Sequence, residues 1–291
     1  MTATLEVRNV VVDYGGLRAV DDVSFSVAPG EIVGFIGPNG SGKTTLLDVV
    51  SGQTPTQAGA VWLDGVDLNL HLPEDRAALG LVRSFQDCLL YGELSVEETL
   101  LVAEDARRPA GVFASALRLP GARKAEREKL ATVQSLMASL GLERFRHNLI
   151  GELSTGTRRI VDLAAILAAQ PRLLLLDEPT SGIAQREAEA LGPLLRRLHE
   201  LTGATICLVE HDVRLVFSLC DRVFVMEAGR VVASGRAAEV QHDPVAIAAY
   251  LGASEEALGR SGLVGEARAG AKRPTLKAKE TRRTRRASQG E

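Results

Sequence analysis

Eight consecutive residues, Gly37-Pro38-Asn39-Gly40-Ser41-Gly42-Lys43-Thr44, fit the pattern G-x-x-x-x-G-K-[ST], which has a direct chemical reading. Glycines let backbone N–H groups turn inward around an anion, and a helix starting at the loop adds partial positive charge at its N-terminus. Lys43 would then reach β- and γ-phosphates, and the Thr44 hydroxyl is a hard oxygen for Mg²⁺; Thr45 continues the same turn. A glycine-rich turn of no chemical purpose is the alternative, and the flanking elements argue against it. Further along, Leu173-Leu174-Leu175-Leu176-Asp177-Glu178-Pro179 places two carboxylates at the end of an apolar run. Asp177 would face the metal, and Glu178 would orient and deprotonate the attacking water, a role worth about 10² to 10⁴ in rate. By itself that stretch could be a strand-ending turn, a reading that loses ground beside the phosphate loop.

These residues need a sheet to hold them, and the apolar patterning predicts one. Leu5 to Val12, Val23 to Val27 and Ile32 to Ile36 read as strands, the last two joined by the turn Ala28-Pro29-Gly30-Glu31. From Thr44 the apolar spacing becomes helical (Leu46, Leu47, Val50) and stops at Ser51-Gly52; Ala60 to Leu63 is a further strand with Asp64-Gly65 as its turn. Between Val96 and Leu149 the strand pattern gives way to helices such as Val96 to Glu104 and Glu126 to Leu140, separated by Arg108-Pro109-Ala110-Gly111 and Leu119-Pro120-Gly121. Strands return at Leu173 to Leu176, Thr205 to Val209 and Arg222 to Met226 with helical stretches between, as a mostly parallel α/β sheet requires.

The composition suits such a fold. The chain has 291 residues, 45% hydrophobic and 24% charged, enough for a substantial core without metal or disulfide scaffolding. Cys88, Cys207 and Cys220 form no C-x-x-C pair, so a disulfide framework and a zinc site are not expected, and a reducing cytosol fits. No apolar run reaches a membrane-spanning length, and the first residues lack a signal segment. The net charge of −3 conceals a basic stretch: residues 268 to 291 carry nine Lys/Arg against Glu280 and Glu291. Residues 253–291 are expected to form a disordered tail, solvated or in contact with anionic lipid.

From Leu5 to Gly252 the chain resembles the nucleotide-binding subunit of an ATP-binding cassette (ABC) transporter. Beyond the phosphate loop and the Asp177-Glu178 pair, the resemblance rests on four further matches in order. Tyr14 matches the aromatic that stacks on adenine, and Gln86 in Arg83-Ser84-Phe85-Gln86-Asp87 matches the glutamine joining metal and water to the membrane-facing helices. Leu153-Ser154-Thr155-Gly156-Thr157 stands where the signature L-S-G-G-Q belongs, and His211 in Val209-Glu210-His211-Asp212 matches the histidine that contacts the γ-phosphate. Seen alone, Tyr14 is an ordinary surface aromatic, Gln86 a loop residue and His211 a satisfied histidine; their order carries the reading.

The resemblance implies a P-loop NTPase ABC ATPase fold over residues 1–252, with an antiparallel β subdomain and a helical subdomain inserted at about 88–165. It implies Glu178, His211 and Gln86 as catalytic residues, Thr44, Gln86 and Asp177 at the metal, and ATP and Mg²⁺ as ligands. Tyr14, residues 37–45, Ser154 and Gly156 would bind nucleotide. Ser154 and Gly156 would act on ATP held by a second cassette, a copy of this chain or a different one. Two integral membrane permeases, with or without a substrate-binding protein, would complete an assembly at the cytoplasmic face of the membrane, with this chain as a peripheral subunit.

Two departures stand out: Thr155 and Thr157 replace Gly and Gln in the signature, and Ser181-Gly182-Ile183-Ala184 lacks the customary Asp. Arg83 to Gln86, residues 111–120, Glu210 to Val216 and Ala249-Tyr250-Leu251-Gly252 resemble the branched-chain amino acid importer type, which urea and amide systems share. The alternatives are a divergent exporter ATPase, a non-transport ABC ATPase acting on nucleic acid or in assembly, and a catalytically silent binding module. The first keeps transport. The second is disfavoured by the single cassette and the lack of coiled coils or zinc modules, so nucleic acid is not an expected partner; Lys43, Asp177, Glu178 and His211 argue against the third.

Overall fold

The computed structural model describes residues 5–84, 90–107, 120–182 and 185–251. Two sheets form its frame. Strands β1 (Leu5–Asp13), β2 (Arg18–Val27), β4 (Ala58–Leu63) and β5 (Val66–Asp67) make an antiparallel sheet in the order β2-β1-β4-β5. The second sheet has the order β10-β9-β3-β8-β7-β6, from β3 (Ile32–Ile36), β6 (Leu81–Arg83), β7 (Leu173–Asp177), β8 (Thr205–Val209), β9 (Arg222–Glu227) and β10 (Arg230–Arg236). Strands β9, β3, β8, β7 and β6 are parallel, and β10 returns antiparallel along β9.

The central strands read as uninterrupted apolar runs because both of their faces are covered. Val33 and Phe35 of β3, Leu173 and Leu175 of β7, and Cys207 and Val209 of β8 pack toward the antiparallel sheet and helix α1 (Lys43–Ser51). Their neighbours Ile32, Ile36, Leu174, Leu176, Ile206 and Leu208 point to the other face, as the two-residue period of a strand dictates. Helices α6 (Gln185–Thr202), α7 (Val213–Leu219), α8 (Ala237–Val240) and α9 (Pro244–Leu251) cover that face. A third core joins α3 (Val96–Arg107), α4 (Pro120–Leu140) and α5 (Thr155–Ala168) through Leu100, Val133, Met137, Val161 and Ala164. A short helix α2 (Pro73–Ala78) precedes β6. Among the described residues no helix is long and apolar enough to cross a membrane.

The α/β expectation holds, and the differences are local. Pro120, read as a separator, instead opens α4, because proline's fixed φ and missing N–H are harmless in a first helical turn. Strand β2 begins at Arg18, earlier than its alternating core, since pairing with β1 extends it. Strands β5, β6 and β10 were not expected: the first two are very short, and β10 alternates between half-buried and exposed residues at a sheet edge.

Candidate functional site

Strands β3, β8, β7 and β6 are parallel neighbours, so their C-terminal ends share one edge of the sheet, where open α/β folds bind ligands. Each end delivers polar chemistry. β3 runs into the 37–44 loop and α1, β8 into Glu210 and His211, β7 into Asp177 and Glu178, and β6 ends at Arg83. Residues scattered over 175 positions of sequence are thereby gathered.

The loop's shape depends on glycine at Gly42, whose φ of 100° is left-handed and where a Cβ would come 2.1 Å from the Ala19 carbonyl oxygen. Lys43 donates from its ammonium to the carbonyls of Gly37 (2.8 Å) and Pro38 (3.0 Å). Burial pushes its pKa down, against the pull of Glu178 and Asp177. The Ser41 hydroxyl is buried with no hydrogen-bond partner among the described residues, while Asn39 and Gly40 at the loop tip are exposed. A buried cation beside an unsatisfied hydroxyl suits a phosphate.

Thr44 Oγ1 lies 3.5 Å from Asp177 Oδ1. Burial raises the Asp177 pKa, Arg83 opposes that shift, and Glu178 and Asp48 add to it. Among the described residues no cluster of three or more His, Cys, Asp or Glu could hold a metal. The Thr44 hydroxyl and the Asp177 carboxylate, side by side, fit Mg²⁺, which takes few protein ligands and completes its shell with water and phosphate oxygens.

Glu178 sits at φ 46°, a left-handed conformation uncommon for a side-chain-bearing residue, and its N–H donates to Val209 O at 2.9 Å. Its Oε1 lies 2.6 Å from His211 Nε2, so the two strand ends meet through their side chains. Tyr14, just past β1, is 55% exposed, with its hydroxyl 3.4 Å from Thr54 Oγ1. Ser154 caps α5: its hydroxyl accepts from the Thr157 N–H at 3.2 Å and lies 2.9 Å from Thr157 Oγ1, with Gly156 buried in the first turn. The described hydrogen bonds and ion pairs of Ser154 stay within its own helix start and do not join it to the 37–44 loop. Gln86, Ile183 and Ala184 lie outside the described residues.

Three contributors escaped the sequence reading. Buried Glu210 accepts from Thr180 N–H (2.8 Å) and His211 N–H (3.0 Å), stapling the loop after Glu178 to the end of β8. Arg159, buried in α5, donates to Pro179 O (3.1 Å) and approaches Glu178 O (3.5 Å). Arg83 donates to Asp177 Oδ2 (2.8 Å) and to Asp48. The signal for Glu210 was an acid directly after an apolar strand; the two arginines had none beyond standing beside motifs.

A phosphate loop after one central strand and an acidic pair after another define a P-loop α/β nucleotide-binding fold. The comparisons narrow the class. The ABC transporter family model matches residues 20–181, and a model described as branched-chain amino acid ATP-binding cassette transporter matches residues 230–256. The Escherichia coli (strain K12) high-affinity branched-chain amino acid transport ATP-binding protein LivG is 34% identical over 248 residues, 85% of this chain and 97% of that protein. The lipopolysaccharide export system ATP-binding protein LptB of the same organism is 32% identical over 250 residues, 86% and 98% of the two chains. A crystal structure of the ADP conformation of an ATP-binding cassette of an ABC transporter superposes with a TM-score of 0.72 at 30% identity, covering 87% of this chain and all of the other. The chain belongs to the ABC transporter ATP-binding family.

Proposed function

We propose that this chain is the Mg²⁺-dependent ATP-hydrolysing subunit of an importer for branched-chain amino acids or small polar relatives such as urea and amides. It would work at the cytoplasmic face of the membrane, with a second cassette, two permease subunits and a substrate-binding protein. The observation that carries the chemistry is the 2.6 Å pair of His211 and Glu178 on the strand edge that also holds Lys43 and Asp177. Support for the solute class comes from LivG and from the C-terminal match at residues 230–256.

In this reading Tyr14 stacks on the base, and the loop N–H groups, Ser41 and Lys43 bind the phosphates. Thr44, Asp177 and Gln86 are the residues that would hold Mg²⁺. The metal would supply neutralisation of charge on the phosphate oxygens. Glu178 takes a proton from the attacking water on a carboxylate oriented by His211, and His211 then faces the γ-phosphate. Ser154 and the first N–H groups of α5 close on ATP held by the partner cassette, because an N-terminal helix turn presents unpaired donors.

Glu178→Gln is expected to abolish turnover while preserving ATP binding and trapping a dimer, measured by steady-state ATPase and size-exclusion chromatography with ATP. Unchanged turnover overturns the role of Glu178. LptB keeps an exporter assembly as the second reading. Affinity purification from gently solubilised membranes separates the two through the permeases that accompany the chain.

A further inference from the structure

Strand β6 has three residues and lies at the edge of the parallel sheet, yet its last residue bonds to two other elements. The Arg83 side chain is 8% exposed, and its guanidinium forks. One arm donates to Asp177 Oδ2 at 2.8 Å, and the other donates to Asp48 and to Ser51 Oγ at 3.1 Å. Asp48 and Ser51 belong to α1, the helix that carries Thr44. The next residue adds to the clamp: Ser84 N–H donates to Leu175 O at 2.8 Å, and Ser84 Oγ accepts from Asp177 N–H at 3.4 Å. The carboxylate oxygen that Arg83 leaves open, Oδ1, is the one that faces Thr44.

We propose that Arg83 is the positioning residue of the metal site, locking the Asp177 carboxylate to helix α1 so that Asp177 Oδ1 and Thr44 Oγ1 present one divalent-cation site. The proposal rests on the reading of Asp177 and Thr44 as metal-side residues and adds a residue that touches neither metal nor nucleotide. Second-layer groups of this kind hold ligand oxygens in place, and their removal costs about 10- to 100-fold in metal affinity. Lysine cannot substitute fully, because a single ammonium lacks the planar fork that spans two carboxylates.

Charge and positioning make opposite forecasts. Deleting a positive charge beside a cation site strengthens cation binding through electrostatics alone. Loss of the clamp weakens it. The test measures Mn²⁺ affinity by electron paramagnetic resonance at saturating ATP, and ATP affinity separately in EDTA, for the full chain and for Arg83→Met and Arg83→Lys. Arg83→Met is expected to bind Mn²⁺ about 10- to 100-fold more weakly with metal-free ATP affinity within about twofold, and Arg83→Lys to fall between. Unchanged or tighter Mn²⁺ binding in either variant overturns the proposal, as does an equal loss of metal-free ATP affinity, which would mean a loosened phosphate loop. Should Arg83→Met fail to fold, Arg83→Lys decides alone. If the parent chain shows no ATP-dependent Mn²⁺ site, the metal-side reading of Asp177 and Thr44 falls, and this inference with it.

Discussion

Replacing Arg159 by methionine keeps much of the side-chain volume and removes the guanidinium that holds the backbone after β7. Among the described partners, Arg159 Nε donates to Pro179 O at 3.1 Å, the approach to Glu178 O at 3.5 Å is at the limit of a hydrogen bond, and Nη1 lies 3.8 Å from Asp162 Oδ2. The bond to Pro179 O, from a charged donor, is worth about 1.5–3 kcal/mol, so a stability loss of at least that size is expected. The neighbouring Glu178 occupies left-handed backbone, which costs a residue with a Cβ about 1–2 kcal/mol, so the segment that holds it has strain to release when one of its restraints is removed. If the whole loss appears in the barrier, kcat falls about 10- to 100-fold. The KM for ATP should move by less than about threefold, because the 37–44 loop bonds elsewhere. The assays are steady-state ATPase across ATP concentrations and urea unfolding of the same preparation. A lowered unfolding midpoint with kcat within twofold of the parent refutes the reasoning, since Arg159 would then support the fold without placing Glu178.

Gly42→Ala should cost more than about 2 kcal/mol and lower Tm by at least about 4 °C, because left-handed strain adds to a backbone collision at 2.1 Å, whereas Gly40→Ala, at φ 76° with open space around it, should cost about 1–2 kcal/mol. Thermal unfolding of both variants checks this, and equal shifts contradict it. Burial pushes the Cys207 thiol up to about 12 and the Cys220 thiol higher still, from an ordinary value of 9.0. Both thiols thus hold their protons more tightly folded than unfolded, a stabilisation present below pH 9 and lost as pH rises above it. In a Cys88→Ser background at pH 8, a thiol reagent should label neither cysteine until the chain unfolds; rapid native labelling would contradict it.

Adjacency in sequence made much of the site readable. Lys43, Thr44, Asp177 and Glu178 sit inside short motifs whose backbone context could be read from flanking apolar runs. Arg83, Arg159 and Glu210 act across 94, 20 and 30 positions, on partners that only the packing of strands and helices makes neighbours. An arginine has the same appearance in sequence whether it faces water or a buried carboxylate. The sheet itself was legible where strands are buried on both faces, as in β3, β7 and β8, and illegible where three residues suffice, as in β6.

The departures in the signature can be weighed on the same physical terms. Glutamine at position 157 would bring an amide, whereas Thr157 brings a hydroxyl 2.9 Å from Ser154 Oγ, and its N–H already donates to that oxygen. The cap bond is made by the Thr157 backbone N–H and the serine oxygen, so it does not depend on the side chain at 157. The helix cap then survives the substitution, and with it the outward-facing donors at the start of α5. The change at 157 therefore leaves the cap of α5 intact, and its consequence falls on the reach of the side chain at that position, which is shorter in threonine than in glutamine.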